Sequence, residues 1–379
     1  MLRALVALIV LLLLSASAQA AEQGRPESSP FPLPELPPLP DFDGQPPAEV
    51  VELNRQPKKP VIPANAASGK IQEPPPGFKL VLSGEMTEDL VLGPEKSPAL
   101  VRGMLLVPAG RTLSLKPGAI LTLQPDGETP PAPKTSAPSP RPEGQLWVVG
   151  KLSAEGARIS GGAGGSIFLY GKEASELRGI KLERVAVTQT AGSTQWWGCT
   201  FQESPHYALA AGAAVFVHCN FTRCGGLLAA YDQGPWALMA VSNSFEACRE
   251  GLVLGGNPGD ECLIFRKNSF VNTAGANLRA QPVSAGKRGL MEVLIGENWY
   301  GSAEPEAIDG KIVDHRSDPK VRARLNVRPP AQKAYSTYGA NLPAETLAKA
   351  FKEWEPVAAR LLAAYEKKTG PKLEARSAK

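Results

Sequence analysis

Between Trp196 and Tyr300 the apolar and polar positions recur in one short pattern with drifting spacing. Its copies read Trp197-Gly198-Cys199-Thr200-Phe201, Val217-His218-Cys219-Asn220-Phe221, Val241-Ser242-Asn243-Ser244-Phe245, Arg266-Lys267-Asn268-Ser269-Phe270 and Gly296-Glu297-Asn298-Trp299-Tyr300. The ring positions fall 20, 24, 25 and 30 residues apart, the range of a solenoid coil. A second apolar group follows most copies, at Gly226-Leu227-Leu228, Gly251-Leu252-Val253-Leu254 and Gly275-Ala276-Asn277-Leu278. Each unit reads as a corner, a short strand carrying an aromatic, a turn and a second short strand. A single unit cannot bury its own apolar face, but stacked units can. On this reading Phe201, Phe221, Phe245, Phe270 and Tyr300 form an inward aromatic column, and Asn243, Asn268 and Asn298 stack at one corner as an amide ladder.

Upstream, short apolar strands begin near Leu80 and each ends at Gly or Pro. The Pro/Ser/Thr-rich stretch 125–144 interrupts them, and the pattern resumes at Leu146-Trp147-Val148, as a surface loop inserted into one coil would allow. Further strands follow at Ile167-Phe168-Leu169-Tyr170 and Gly179-Ile180-Lys181-Leu182. After Pro330 the period changes: Leu347, Phe351, Trp354, Ala358, Leu361 and Tyr365 alternate steps of four and three, one face of a helix. Asn341 and Pro343 suit its start and Gly370-Pro371 its end, while Pro356 should kink it. Such a stripe is expected to pack against the solenoid and cover its end or flank.

The pieces together resemble bacterial secreted right-handed parallel β-helix proteins, the pectate-lyase-like superfold. The resemblance rests on Val107-Pro108-Ala109-Gly110-Arg111-Thr112-Leu113, on Gly150-Lys151-Leu152-Ser153-Ala154-Glu155-Gly156, on the Asn-x-Phe corners and on the ending Asn298-Trp299-Tyr300-Gly301. It spans about 79–330 and is specific to architecture, not to activity. The expected fold class is therefore all-β, a right-handed parallel β-helix over 79–330, with a Pro-rich tether at 21–78 and a C-terminal α-helix and tail in 331–379.

The chain opens with Met1-Leu2-Arg3, a short apolar run to Leu14 and Ala18-Gln19-Ala20, the layout of a secretory leader over 1–20. That points to a secreted or periplasmic protein without a transmembrane span. The formal charge of +4 is too mild to suggest nucleic acid. All five cysteines lie between Cys199 and Cys262, with Cys199/Cys219 and Cys224/Cys248 at equivalent places in adjacent coils. Strand spacing of roughly 4.8 Å permits a disulfide, but stacked parallel positions rarely orient both sulfurs for one. Buried thiols are the favoured reading.

Enzymes of the superfold that cleave acidic polysaccharides need clustered carboxylates, calcium and a base, and inverting glycosidases need a carboxyl pair. Here only Asp260-Glu261 are adjacent within the repeat region, in a Gly-Pro turn, and the pectin-hydrolysing signatures are absent. Histidines His206, His218 and His315 lack metal-ligand spacing. No metal or cofactor is expected; calcium enters only if the chain is an enzyme. Aromatics outside the inner column are the remaining candidates. Trp196 and Trp197 must face opposite sides of a strand, so one points outward, and Tyr231 and Trp236 flank a loop. With Asp260 and Glu261 they make the expected ligand surface. A flat ring suits the C–H face of a sugar, so the sequence favours a polysaccharide or cell-envelope component as partner. A lyase or hydrolase and a purely structural envelope protein are the alternatives.

Overall fold

The structure, a computed structural model, describes residues 74–124, 144–162, 165–229, 236–255, 263–281, 291–321, 323–335, 338–340 and 342–377. Residues 1–20, read above as a leader, the Pro-rich stretch up to residue 73 and most of the 125–144 stretch lie outside them. What remains is an all-β parallel solenoid with a C-terminal helix. Among the described residues every strand pairing is parallel, from Leu80–Glu85 on Ala99–Val107 to Met291–Leu294 on Ala323–Asn326.

Each coil contributes one strand to each of three faces. Sheet I is an eight-stranded ladder running from Leu90–Leu92 to Leu263–Arg266. Sheets II and III share the two long strands Leu80–Glu85 and Ala99–Val107, which pair along both halves, and so form one seventeen-stranded system. Sheet II then continues through Ile120–Gln124, Arg158–Gly161, Lys181–Glu183 and Thr200–Gln202 to Ser269–Val271. Sheet III continues through Gln145–Val148, Ser166–Leu169, Ala186–Gln189 and Tyr207–Leu209 to Ile312–Val313.

The aromatic column stacks in register along the inside of sheet II. Ring centroids lie 4.6 Å apart for Phe201–Phe221, 4.8 Å for Phe221–Phe245, 5.1 Å for Phe245–Phe270 and 5.5 Å for Phe270–Tyr300. Those spacings track the inter-strand distance, so each coil delivers one ring to the next. The asparagine ladder is complete. Asn268 Oδ1 accepts from the backbone N–H and Nδ2 of Asn243 at 2.9 and 3.0 Å, and Asn298 Oδ1 accepts from the same two groups of Asn268 at 2.9 and 3.0 Å. Nδ2 of Asn243 and of Asn268 also donates to a main-chain carbonyl, Phe216 and Ala240 respectively. The left-handed corner residue is the one before each asparagine: Ser242, Lys267 and Glu297 have φ of 55, 57 and 60°. Gly179, Gly198 and His218 take the same conformation in preceding coils at φ 57, 60 and 54°. The asparagine thus supplies hydrogen bonds while its neighbour bends the chain.

Cys199, Cys219, Cys224 and Cys248 are buried free thiols. Each donates to a carbonyl of the preceding coil: Cys199 to Leu177, Cys219 to Trp196, Cys224 to Phe201 and Cys248 to Phe221, at 3.2–3.4 Å. Cys262 lies outside the described residues. Helix α1 (Pro305–Asp309) follows the last ring of the column. The described residues 331–335 and 338–340 then lie against sheet II, with Ala331 N–H on Asn298 O and Ala340 N–H on Thr200 Oγ1, both 2.8 Å. They lead into helix α2 (Ala344–Ser377), whose backbone stays helical through Pro356 and past Gly370-Pro371, where the sequence places its end. No described helix is long and apolar enough to cross a membrane.

Candidate functional site

Strand alternation does separate Trp196 from Trp197, but neither ring is offered to a ligand. Trp196 points inward with no exposed surface, and its Nε1 reaches Tyr207 OH at 3.4 Å. Tyr207 OH donates in turn to Gln189 Oε1 at 2.6 Å, and Gln189 Nε2 to Ala213 O at 3.0 Å, which closes a buried polar relay. Trp197 points outward from sheet I and is also wholly buried, because α2 lies over it with Phe351 at 4.8 Å between ring centroids. Trp236 is 4 % exposed and packs in the main core. These three are corrections to the sequence reading. Tyr231, Asp260 and Glu261 fall outside the described residues.

The cover has a chemical cause. Strands Gly212–Val217 and Trp236–Val241 are apolar at almost every position and buried along their whole length. Their outward residues Ala213, Val215, Val217, Ala237, Met239 and Val241 join Trp197 and the helix stripe Ala350, Trp354, Ala358, Leu361 and Tyr365 in a second core. A strand that is apolar on both faces must be covered on both. The run itself was the signal that alternation alone misses. Cations pin the edges of the seam: the Arg178 guanidinium sits 4.4 Å over the Phe351 ring and that of Arg266 5.0 Å over Trp354.

Outward aromatics without such a helix occur instead on sheet III, in two strands that the sequence placed but did not mark. In Gln145–Val148, Leu146 and Val148 go to the core, which turns Trp147 outward; in Ser166–Leu169, Ile167 and Leu169 do the same and turn Phe168 outward. Trp147 and Phe168 are paired across the ladder with centroids 5.0 Å apart. Tyr170, just beyond the second strand, stacks on Trp147 at 5.2 Å and 15°. Trp147 and Tyr170 are half-buried, while Phe168 beneath them is 8 % exposed. Gln145 fixes the indole by accepting from Trp147 Nε1 at 2.9 Å. Burial raises the Tyr170 pKa, so the phenol stays neutral. Thr188 follows in the next coil of the same outward column, and Ala208, Leu228 and Val253 extend it. The result is a flat, uncharged aromatic step with amide and hydroxyl groups at its margin.

The described carboxylates with displaced pKa values are paired structural groups. Burial would raise Glu183, but hydrogen bonds and charge from Lys181 and Arg158 hold it below its ordinary value. Burial likewise opposes the shift of Asp314, and hydrogen bonds from Arg316 and the Leu325 N–H bring it down. A general acid needs the opposite displacement. Burial lowers His206, and His315 Nδ1 lies 2.7 Å from Val321 O. Among the described residues no group of three or more His, Cys, Asp or Glu side chains converges as a metal site. Comparison with family models, with curated proteins and with solved structures gives no match for this chain.

Proposed function

We propose that this chain is an exported, non-catalytic solenoid that binds a polysaccharide along the outer face of sheet III. The observation that carries the reading is the Trp147–Phe168–Tyr170 step: three rings meet on the outside of a sheet, two of them half-open to solvent. Aromatic faces bind the apolar C–H face of a pyranose, and the neighbouring Gln145, Thr188 and Thr190 suit its hydroxyl edge. Stacking on one ring contributes only about 0.5–1.5 kcal/mol beyond area burial, so a polymer spanning several coils gains where a short oligosaccharide does not. The leader-like start at 1–20 supports export, and the asparagine ladder with its left-handed corners supports a right-handed coil of the pectate-lyase-like kind.

The test is retention of the purified protein on a panel of insoluble polysaccharides, run beside assays for new reducing ends and unsaturated products with and without calcium. Retention that Trp147→Ala abolishes, with no product formed, is the expected result. Product formation removed by Asp260→Ala would replace the reading with an enzymatic one, and retention on no polymer would leave a structural envelope role.

A further inference from the structure

The three coils that carry the aromatic step sort their charges by face. In the segments 145–149, 166–170 and 186–190 the first, third and fifth residues face outward from sheet III, and the second and fourth turn inward. None of the outward residues is Asp, Glu, Lys or Arg. In the next coil the outward neighbours are Ala208 and His206, and burial lowers the His206 pKa so that its ring is neutral. The charges of the same coils stand on sheet II, where Arg158 and Lys181 both pair with Glu183. At the margins, Lys151 begins a strand of sheet I and Arg184 bends a corner at φ 55°. Lys172 and Glu173, exposed just past Tyr170, have opposite signs, and Glu173 Oε1 accepts from the Gly110 N–H at 2.8 Å.

We infer, resting on the polysaccharide reading above, that the polymer bound on this face is neutral and built of pyranoses with all-equatorial substituents, as in a β-linked glucan. Charge selects the first property. A uronic-acid polymer laid here would give up the hydration of its carboxylates with no cation among the outward residues to replace it. Burying an unpaired charge costs far more than burying a hydroxyl. Neutral hydroxyls do find partners, in the Gln145 amide and the Thr188 and Thr190 hydroxyls. Shape selects the second property. A pyranose with every substituent equatorial offers only axial C–H bonds on its two faces, the surface that an aromatic ring accepts. One axial hydroxyl, as in a mannose unit, stands on a ring face and meets Trp147, Phe168 or Tyr170 without a hydrogen-bond partner, which costs affinity.

The experiment is affinity gel electrophoresis of the purified chain in gels containing one soluble polymer each, at low and high salt. Hydroxyethylcellulose and laminarin are the neutral glucans. Carboxymethylcellulose keeps the cellulose backbone and adds only charge, galactomannan keeps neutrality and adds axial hydroxyls, and polygalacturonate is acidic throughout. At least one neutral glucan should retard the protein, with a dissociation constant at least about tenfold below that of each other polymer and unchanged by salt, since no ion pair is screened. Trp147→Ala and Tyr170→Ala, each checked for fold by circular dichroism, should each weaken glucan binding several-fold. Tightest binding to carboxymethylcellulose, polygalacturonate or galactomannan, lost in the two variants, overturns this inference while the polysaccharide reading stands. Glucan binding that both variants retain places the site elsewhere and overturns the inference as well. Binding to none of the five polymers removes the reading and the inference together.

Discussion

Two outer faces of the solenoid carry tryptophan, and they meet opposite fates. On sheet I, Trp197 is sealed beneath α2 with no exposed surface; on sheet III, Trp147 stands half-open on a stacked Tyr170. Both rings sit on strands that alternate correctly, so the side to which a residue points does not decide its role. What decides is the company on the same side. Around Trp197 the outward neighbours are Ala213, Val215, Val217, Ala237, Met239 and Val241, a smooth apolar bed that a helix stripe fills. Beside Trp147 stand Gln145 and Tyr170, and Thr188 follows in the outward column. The first set is core; the second is a surface suited to a ligand with its own hydroxyls.

Substitutions should break the comparison unequally. Trp197→Ala should cost about 3–5 kcal/mol, since it empties a slot between sheet I and α2, and Phe245→Ala in the inner column should cost a similar amount. Trp147→Ala should cost about 1 kcal/mol or less, as a partly solvated side chain does. Urea titration of the three variants ranks them, and equal losses at Trp147 and Trp197 would erase the distinction. Trp197 Nε1 has no hydrogen-bond partner, so Trp197→Phe should be far milder than Trp197→Ala.

Next in size is the ladder. Asn268→Ala leaves the Asn243 N–H and the Asn298 Oδ1 short of a partner in a dry corner and should cost about 1–3 kcal/mol in the same titration. Smaller still is an acid-side effect. Asp314 and Glu183 are held below their ordinary values of 3.8 and 4.5, so the native state binds fewer protons than the unfolded one there. Their contribution is present above those ordinary values and is lost as pH falls through the lower folded values. Asp314→Asn should therefore flatten the fall in thermal midpoint below about pH 4, the ordinary range of an Asp carboxyl; an unchanged acid limb would remove Asp314 from the account. The smallest effect is a gain: Ala247 sits at φ 50°, and Ala247→Gly should stabilise by up to about 1 kcal/mol because a left-handed residue with a Cβ carries roughly 1–2 kcal/mol of strain. A loss of stability on that substitution would show the corner to be unstrained.

Much of this architecture is legible in the chain. The Asn-x-Phe spacing locates both the ladder and the ring column because each coil repeats the same physical demand, one amide and one ring per turn. The helix stripe from Leu347 to Tyr365 is equally plain, and it does cover a flank. The fate of Trp197 was hidden because its cover comes from Phe351, far away in sequence, and periodicity reports sides but not partners. The unbroken apolar runs at Gly212–Val217 and Trp236–Val241 held that information. The Trp147–Tyr170 step was hidden for a related reason: the two rings are adjacent only across successive coils, whose strands pair side by side. The bending residue at this corner has no sequence signature, since glycine and histidine occupy it in the earlier coils and serine, lysine and glutamate before the asparagines.

Hydroxyl-radical footprinting of the folded protein, with and without a panel of soluble neutral and acidic polysaccharides, addresses both faces at once. In the free protein Trp147 and Tyr170 should oxidise readily while Trp196, Trp197 and Trp236 stay protected. A bound polymer should then shield Trp147 and Tyr170 and leave the buried three unchanged. Oxidation of Trp197 at the rate of Trp147, or a bound polymer that leaves Trp147 and Tyr170 reactive, would contradict the account.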